Sequence, residues 1–474
     1  MPRLVVVSNR VPVPGARAAA AGGLATGLAA AITPGTLWFG WSGHRGPATQ
    51  TEPAVEVVRG VTYATIDLSE ADYRRFYVGF ANGTLYPLLL YRLGLMTFRQ
   101  DDYAGYRAVN SAFAAALAPL LRDDDLIWIH DYQLLSCGHA LRALGVKQRI
   151  GFFLHTPFVP PPIFCALPRA LELLDALCAC DVIGFHTDDY RTAFLQCVTL
   201  LLEAQPDAEG WFTHRGRRVQ TIVTPIGIDV AGFAAAATRK AATAAATSLA
   251  ESLSGRPLAI SVDRLDYAKG LTNRMQAIEH LFARHPEHRK HVTFLQIAAP
   301  SREELADYRS LRRELDRSVG EINGRYSEAD WTPIRYITRA VRRNTLGAYY
   351  RHARLGLVTP LRDGMNLVAK EFVAAQDAAD PGVLILSRFA GAAEELTDAL
   401  IVNPFDSEEI AEAMHRGLAM PLEERQARHH TLLARVRASS ARQFCLGFLA
   451  ALRPPGDPAA APARTREMSR ADAD

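Results

Sequence analysis

Short apolar runs rich in β-branched residues recur along the chain, each closed by a polar or glycine turn and followed by residues whose apolar positions return at helical spacing. RLVVVSN, DLIWIHD, RIGFFLH, CDVIGFH and TIVTPIGID come first; an alanine-rich helical stretch, AGFAAAATRKAATAAATSLAESL, intervenes; then PLAISVDRLD, HVTFLQIAA, IRYITR, LGLVTPL, GVLILSR and ALIVNPF follow. Near-continuous apolar strands alternating with helices are the mark of a parallel sheet covered on both faces. The pattern predicts an α/β chain of two Rossmann-like domains, one over 1–230 and one over 231–452, with the boundary set to within about ten residues. The tail over 453–474, RPPGDPAAAPARTREMSRADAD, has no apolar periodicity and is expected to be disordered. In parallel α/β sheets ligands bind beyond the carboxyl ends of the strands, so two such sheets are expected to face a central cleft, and function is to be sought at strand ends.

The most informative strand end lies in LGLVTPLRDGMNLVAKEFVAAQD. An apolar strand breaks at Leu361-Arg362-Asp363-Gly364 and restarts as a helix. Backbone N–H groups of Gly364, Met365, Asn366 and Leu367 are expected at the helix N-terminus, where unpaired donors and the helix dipole favour phosphate. Glu371 follows about one turn further in, at a reach that suits ribose hydroxyls. SVDRLDYAKGL puts Arg264 and Lys269 in one loop after a strand, and Arg302 follows HVTFLQIAA. Arginine is a good bidentate phosphate ligand, and two cations in one loop suit a pyrophosphate. Near the start, the first strand ends at Ser8-Asn9-Arg10, and Gly22 and Gly23 open the next helical stretch and permit close approach by a ligand. Asp131 and His155 each follow an apolar strand directly, which places both at a cleft rim rather than in the core.

Composition narrows the partners. The 53 basic and 50 acidic side chains leave a net charge of +3. They are mixed along the chain, so no basic stripe advertises nucleic acid or an anionic membrane. Phosphate must therefore be met locally, by the cations already named. The six cysteines show no CxxC and no Cys/His spacing suited to zinc, which favours buried, reduced thiols and a cytoplasmic protein. The chain runs from Met1 straight into strand-like Leu4 to Val7 with no signal peptide. No apolar stretch approaches the roughly 20 residues that cross a bilayer. Asp123-Asp124-Asp125 resembles a metal-binding DxD but precedes a strand, where acidic turn residues are common. Neither G-x-x-x-x-G-K-[ST] nor G-x-S-x-G is present, so P-loop and serine-hydrolase chemistry have no support.

Taken in order, SNR, AGGL, IWIHDYQLL, FFLHTPF, PIGID, DRLDYAKG, TPLRDGMNLVAKEFVAAQ and SRFAGAAEEL closely resemble the trehalose-6-phosphate synthase family of retaining glycosyltransferases, from about residue 3 to 450. The resemblance implies a GT-B type fold. It also implies transfer of glucose from UDP-glucose to glucose 6-phosphate, giving α,α-trehalose 6-phosphate and UDP, with no cofactor and no metal. By the same resemblance Gly22 and Gly23 approach the donor, Arg264 and Lys269 hold its diphosphate, and the loop Asp363, Gly364, Met365, Asn366, Leu367, Val368, Lys370 and Glu371 binds sugar, phosphate and ribose. Val341 falls near the uracil. Arg10, Tyr77, Asp131 and Arg302 form the glucose 6-phosphate site, while Tyr86 and His155 line the reaction centre and select the acceptor's anomer.

This chain departs from the family pattern in three places. Tyr86 stands where the family usually has Trp, Pro162 where an acidic residue is frequent, and Arg339-Ala340-Val341 lacks an aromatic often found near the base. The choice among UDP-, GDP- and ADP-glucose is thus open at this stage, as is homo-oligomerisation. No carboxylate stands out as a nucleophile. The resemblance implies front-side transfer, in which the leaving phosphate accepts the acceptor's proton while Arg264, Lys269 and Asp363, with His155, act in catalysis. The competing readings are a related synthase with another acceptor, such as glucosylglycerol phosphate synthase, a cyclitol-coupling pseudo-glycosyltransferase, and a catalytically silent sugar-phosphate sensor.

Overall fold

The computed structural model describes residues 2–13, 27, 28 and 30–454. It divides into two compact α/β units, one made of the residues up to Pro225 together with those from Ala441, the other of Ile226–Ser440. Among the described residues, no helix is long and apolar enough to cross a membrane.

The first unit is built on nine strands, β1 (Leu4–Arg10), β2 (Leu37–Gly46), β3 (Ala54–Val58), β4 (Val61–Ser69), β5 (Leu126–His130), β6 (Arg149–Phe153), β7 (Val182–Phe185), β8 (Trp211–His214) and β9 (Arg217–Val223). Their order is β3-β4-β2-β1-β5-β6-β7-β9-β8. The sheet is parallel except at its two ends, where β3 pairs antiparallel with β4 and β8 with β9. Each terminal hairpin turns on an Arg-Gly pair, Arg59-Gly60 and Arg215-Gly216, in which both residues have positive φ. That is the backbone sense of a tight two-residue hairpin, which matches the twist of the flanking strands. The chain runs outward from β1 to β2 and the β3–β4 hairpin and then returns to the other side of β1 at β5, so the switch point of this sheet lies between the ends of β1 and β5.

The second unit carries six parallel strands, β10 (Leu258–Arg264), β11 (Thr293–Ala299), β12 (Ile334–Ile337), β13 (Ala353–Val358), β14 (Val383–Ser387) and β15 (Leu400–Val402). Their order is β12-β11-β10-β13-β14-β15. This doubly wound order has its switch point between β10 and β13, where Arg264 and the Thr359-to-Gly364 loop emerge. The core packs helices Leu271–Arg284 and Ser407–Ala419 on the sheet through Leu281, Phe282, Ile410 and Met414. The alanine-rich stretch that the sequence presents as an interruption forms two helices of this unit, Val230–Ala237 and Lys240–Leu253.

The chain's last described helix, Ala441–Leu452, departs from the sequence expectation: it belongs to the first unit rather than to a domain running to 452. The reason is aromatic packing. Phe448 stacks on Trp128 at 4.5 Å, and Phe444 meets Phe153 edge-on at 4.9 Å. Gly151 and Gly184 make the slot, since a Cβ at either would lie 2.6 and 2.8 Å from the Phe448 ring. The tail expected to be disordered lies outside the described residues from residue 455 onward.

Candidate functional site

In the first unit the switch point gathers residues from four elements. Asp131 follows β5 with φ of 75°, a left-handed backbone that a β-carbon disfavours. Hydrogen bonds hold it: its N–H donates to the Phe153 carbonyl at 2.8 Å, its carbonyl accepts from Leu134 N–H at 3.0 Å, and its Oδ1 accepts from the backbone N–H of Tyr132 (3.0 Å) and of His155 (3.2 Å). One carboxylate thus joins the ends of β5 and β6. Beside it a π-helical segment, Arg74–Leu85, carries Tyr77, and Tyr86 follows it. Asn82 connects the two sides, donating to the Tyr77 carbonyl (2.8 Å) and accepting from the Tyr132 hydroxyl (2.9 Å). Tyr86 is buried with its ring 5.4 Å from that of Tyr132. At the end of β1 the Arg10 guanidinium lies 6.0 Å from the Trp41 ring centre, and Trp41 in turn packs against Tyr73 and Tyr77. Arg10 is exposed, a cation available on an aromatic wall.

His155 sits at the back of this site within a cluster of histidines. Its Nε2 lies 3.1 Å from Nδ1 of His130, which is wholly buried, and the His186 ring is 5.2 Å away. Burial pushes His155 down to about 3, and burial together with the neighbouring His155 holds His130 well below the usual histidine value. Both rings are therefore neutral near pH 7, and one of them donates to the other.

In the second unit Lys269 and Asp363 form an ion pair of 2.5 Å. Asn366 donates to the same Asp363 oxygen at 3.0 Å. Asn366 is the residue before helix Leu367–Ala375, with φ of 78° and no side-chain cap bond, so the first N–H groups of that helix have no side-chain acceptor there. Gly391 backs this loop: its N–H donates to the Asp363 carbonyl at 3.2 Å, and a Cβ on it would fall 2.1 Å from the Gly364 oxygen. That close approach accounts for the SRFAGAAEEL motif. The loop of Arg264 and Lys269 is fixed from beneath by Asp266, which caps the turn Tyr267–Lys269 through Ala268 N–H at 3.0 Å. Burial opposes ionisation of Asp266, but the cations Arg302, Arg264 and Lys269 outweigh it and hold the carboxyl below the usual value. Asp263 is taken by the buried Arg274 at 2.8 Å, which also reaches Thr359 and Gln296. Glu371, one turn into the helix, meets Arg343 at 3.1 Å. Burial raises its carboxyl above the ordinary value, and Arg343 offsets part of that rise.

The structure thus groups Arg10, Tyr77, Tyr86, Asp131 and His155 at the switch point of one sheet. It groups Arg264, Lys269, Asp363, Gly364, Met365, Asn366, Leu367, Val368 and Glu371 at the switch point of the other. Val341 lies half-buried between β12 and helix Arg343–His352. Gly22 and Gly23 lie outside the described residues. Two of the residues expected at ligands, Lys370 and Arg302, have protein partners within the second unit. Lys370 is fully buried, donating to the Ile226 carbonyl at 2.9 Å and pairing with Glu395 at 2.5 Å, so its side chain positions the helix. Arg302 is bound by Asp266 at 3.2 Å and the Tyr308 hydroxyl at 2.6 Å. Pro162 occupies the first turn of the short helix Pro161–Phe164, where its missing N–H costs nothing, and the turn is intact. Asp125 accepts from Arg3 at 2.6 Å and from the Arg122 N–H at 2.8 Å, a structural latch rather than a metal ligand. Cys165 is exposed, whereas the other five thiols are buried as expected. The residues that sequence reasoning missed are Asn82, Tyr132, His130, Arg274 and Arg343. Tyr132 and His130 flank Asp131 in IWIHDYQLL, so the motif held them; Asn82 and Arg343 join the site only through tertiary contacts.

Glycosyltransferase family 20 matches the chain over residues 3–453. A trehalose-6-phosphate synthase of Cronobacter sakazakii is 46% identical over 451 residues, 95% of this chain and 94% of that protein. One from Escherichia coli (strain K12 / DH10B) is 47% identical over 435 residues, 91% of each. Among solved structures, an α,α-trehalose-phosphate synthase (UDP-forming) from Burkholderia xenovorans in complex with glucose-6-phosphate superposes with a TM-score of 0.91 at 45% identity, covering 95% of this chain and all of that one. An E. coli structure bound with UDP-2-fluoro glucose gives 0.89 at 44% identity, with 95% and 98% covered.

Proposed function

Because the chain belongs to glycosyltransferase family 20, we propose that it is the trehalose-6-phosphate synthase of its source: an enzyme that transfers glucose from UDP-glucose to glucose 6-phosphate with retention, giving α,α-trehalose 6-phosphate and UDP. The observation that carries this reading is the pairing of Lys269 with Asp363 beside the uncapped N-terminus of helix Leu367–Ala375. Lys269, Arg264 at the end of β10 and the backbone N–H groups that open this helix are the group types that hold a diphosphate. Glu371, an acceptor held by Arg343, suits the ribose hydroxyls. The acceptor is assigned to the first unit, where Arg10 meets its phosphate and Asp131 accepts from its hydroxyls.

Retention follows from one-face transfer. The bond from the anomeric carbon to the UDP oxygen breaks as the C1 hydroxyl of glucose 6-phosphate attacks from the same face, and its proton passes to the departing phosphate oxygen. Arg264 and Lys269 stabilise the charge that grows on the diphosphate, and the helix N-terminus adds to it without reorganising. Lys269 exchanges its Asp363 partner for phosphate, which leaves Asp363 and Asn366 to bind the sugar hydroxyls. Neutral His155, oriented by His130, donates or accepts at the reacting sugars without adding a charge. No group beyond the two substrates is required by this scheme. The buried thiols, reduced as they stand, fit a cytoplasmic enzyme. The test is stereochemical: proton NMR of the product made from UDP-glucose labelled with carbon-13 at C1 should show both anomeric centres in the α configuration. A β linkage would overturn the one-face mechanism.

A further inference from the structure

Away from both switch points, helix Leu271–Arg284 ends at His285, and the short turn Pro286–His288 follows it. Helix Ser407–Ala419 brings Glu412 and His415 alongside. The His285 ring lies face to face with the His415 ring at 3.8 Å. Its Nε2 is 3.0 Å from a Glu412 oxygen. A carboxylate only accepts, so Nε2 carries the ring proton and Nδ1 of the neutral ring keeps a lone pair. That Nδ1 stands 3.5 Å from Oε1 of Glu287, and Nδ1 of His415 stands 3.7 Å from the same oxygen. The ligand atoms of His285, Glu287 and His415 all lie within 4.8 Å of one another. These separations exceed a hydrogen bond and approach the edge, about 3.3 Å, of a tetrahedron of donors bound at zinc-like distances.

We propose that His285, Glu287 and His415 bind one divalent transition-metal ion of the zinc, cobalt or nickel type, a site separate from the transfer chemistry. Imidazole nitrogens suit these ions, and the Glu412 carboxylate on His285 Nε2 is the outer partner that fixes a ligating histidine's tautomer and raises its basicity. His288 Nε2 lies 2.9 Å from His415 Nδ1; with the lone pair on Nδ1, the Nε2–H of His288 donates to it and gives up that bond when the ion binds, and water completes the coordination. The two rings lie parallel, and rotation about χ2, a soft torsion for histidine, turns both Nδ1 lone pairs toward a single ion beside Glu287. Arg284 faces the same surface but is taken up by Glu408 at 2.5 Å. The helix that ends at His285 begins just after Lys269, and its 14 residues place the cluster about 21 Å from that end. The ion therefore acts as a clip between two core helices and stabilises the folded state by an amount that grows with the logarithm of free metal above its Kd.

The test uses the tag-free full chain. Cobalt(II) titrated in a non-coordinating buffer should give the intense visible absorption of a four-coordinate ion, saturating at one equivalent and bleached by zinc, and zinc should raise Tm. Glu287→Gln, isosteric and on the exposed rim, and His415→Gln should each weaken binding at least tenfold, while His291→Gln leaves it unchanged. Binding that survives both substitutions but disappears in Cys165→Ser would place the metal on a thiol and overturn the proposal. So would the absence of stoichiometric cobalt binding in the parent chain.

Discussion

Replacing Lys370 by Met separates a residue that touches ligand from one that positions those that do. Lys370 lies in the loop-and-helix motif that the family uses for the donor, yet its side chain is fully buried, and its ammonium holds the Ile226 carbonyl and Glu395. Met fills much of the same volume but leaves Glu395 as a largely buried charge with its cation gone. Breaking a buried pair costs about 3–5 kcal/mol, because an uncompensated charge remains. Glu395 keeps 18% of its side-chain surface, which puts the expected loss near the low end, about 3 kcal/mol. For a unit of the size of Ile226–Ser440, each kcal/mol moves Tm by about 2–4 °C, so a drop of roughly 6–12 °C is expected. Adding Glu395→Gln removes the orphaned charge and should recover part of that loss. The assay is calorimetry on the parent and the two variants, with kinetics run well below the lowered Tm. A Lys370→Met protein with unchanged Tm and a tenfold higher KM for UDP-glucose would refute the reasoning, since it would show the ammonium at the ligand.

Three further outcomes follow from the same geometry. Lys269→Ala should lower turnover by about 10²–10³ at saturating substrates, the size found for a single preorganised donor to developing charge, measured by coupled UDP release. Arg302→Ala should raise KM for UDP-glucose more than KM for glucose 6-phosphate, because Arg302 braces Asp266 beneath the Lys269 loop. The reverse split would place Arg302 at the acceptor phosphate. Neutral, half-buried His155 sets an acid limit. Its folded pKa, about 3, lies below the unfolded value near 6.5, so the unfolded chain takes up protons first as pH falls. Stability from this group is complete above pH 6.5 and declines below it, by about 2 kcal/mol at pH 5, and denaturant titrations at pH 7 and 5 would measure it.

Much of the site was legible in the chain because parallel sheets put function where strands end. Arg10, Asp131, His155, Arg264 and the Asp363 loop each follow an apolar run directly, and the structure sets them at the two switch points. What the sequence hid depends on contacts between distant residues. Phe448 finds its slot against Gly151 and Gly184, a match invisible without the sheet, so the final helix was assigned to the wrong unit. Lys370 and Glu371 are adjacent in sequence but point to different environments, one into the core and one to Arg343, a consequence of the 100° step between neighbouring helix residues. The hairpins at the ends of the first sheet did carry a signal, the Arg-Gly pairs, but β3 is largely exposed and β8 is only four residues long with Phe212 buried.

The central claim is that two ligand sites, one on each unit, serve a single glucosyl transfer. Its most direct test is UDP release by the purified protein given UDP-glucose with and without glucose 6-phosphate, with the product treated with phosphatase and then trehalase. The account predicts UDP formation that depends on glucose 6-phosphate and a product that trehalase converts wholly to glucose. Saturable binding of both ligands without UDP release, or a product that resists trehalase, would contradict it.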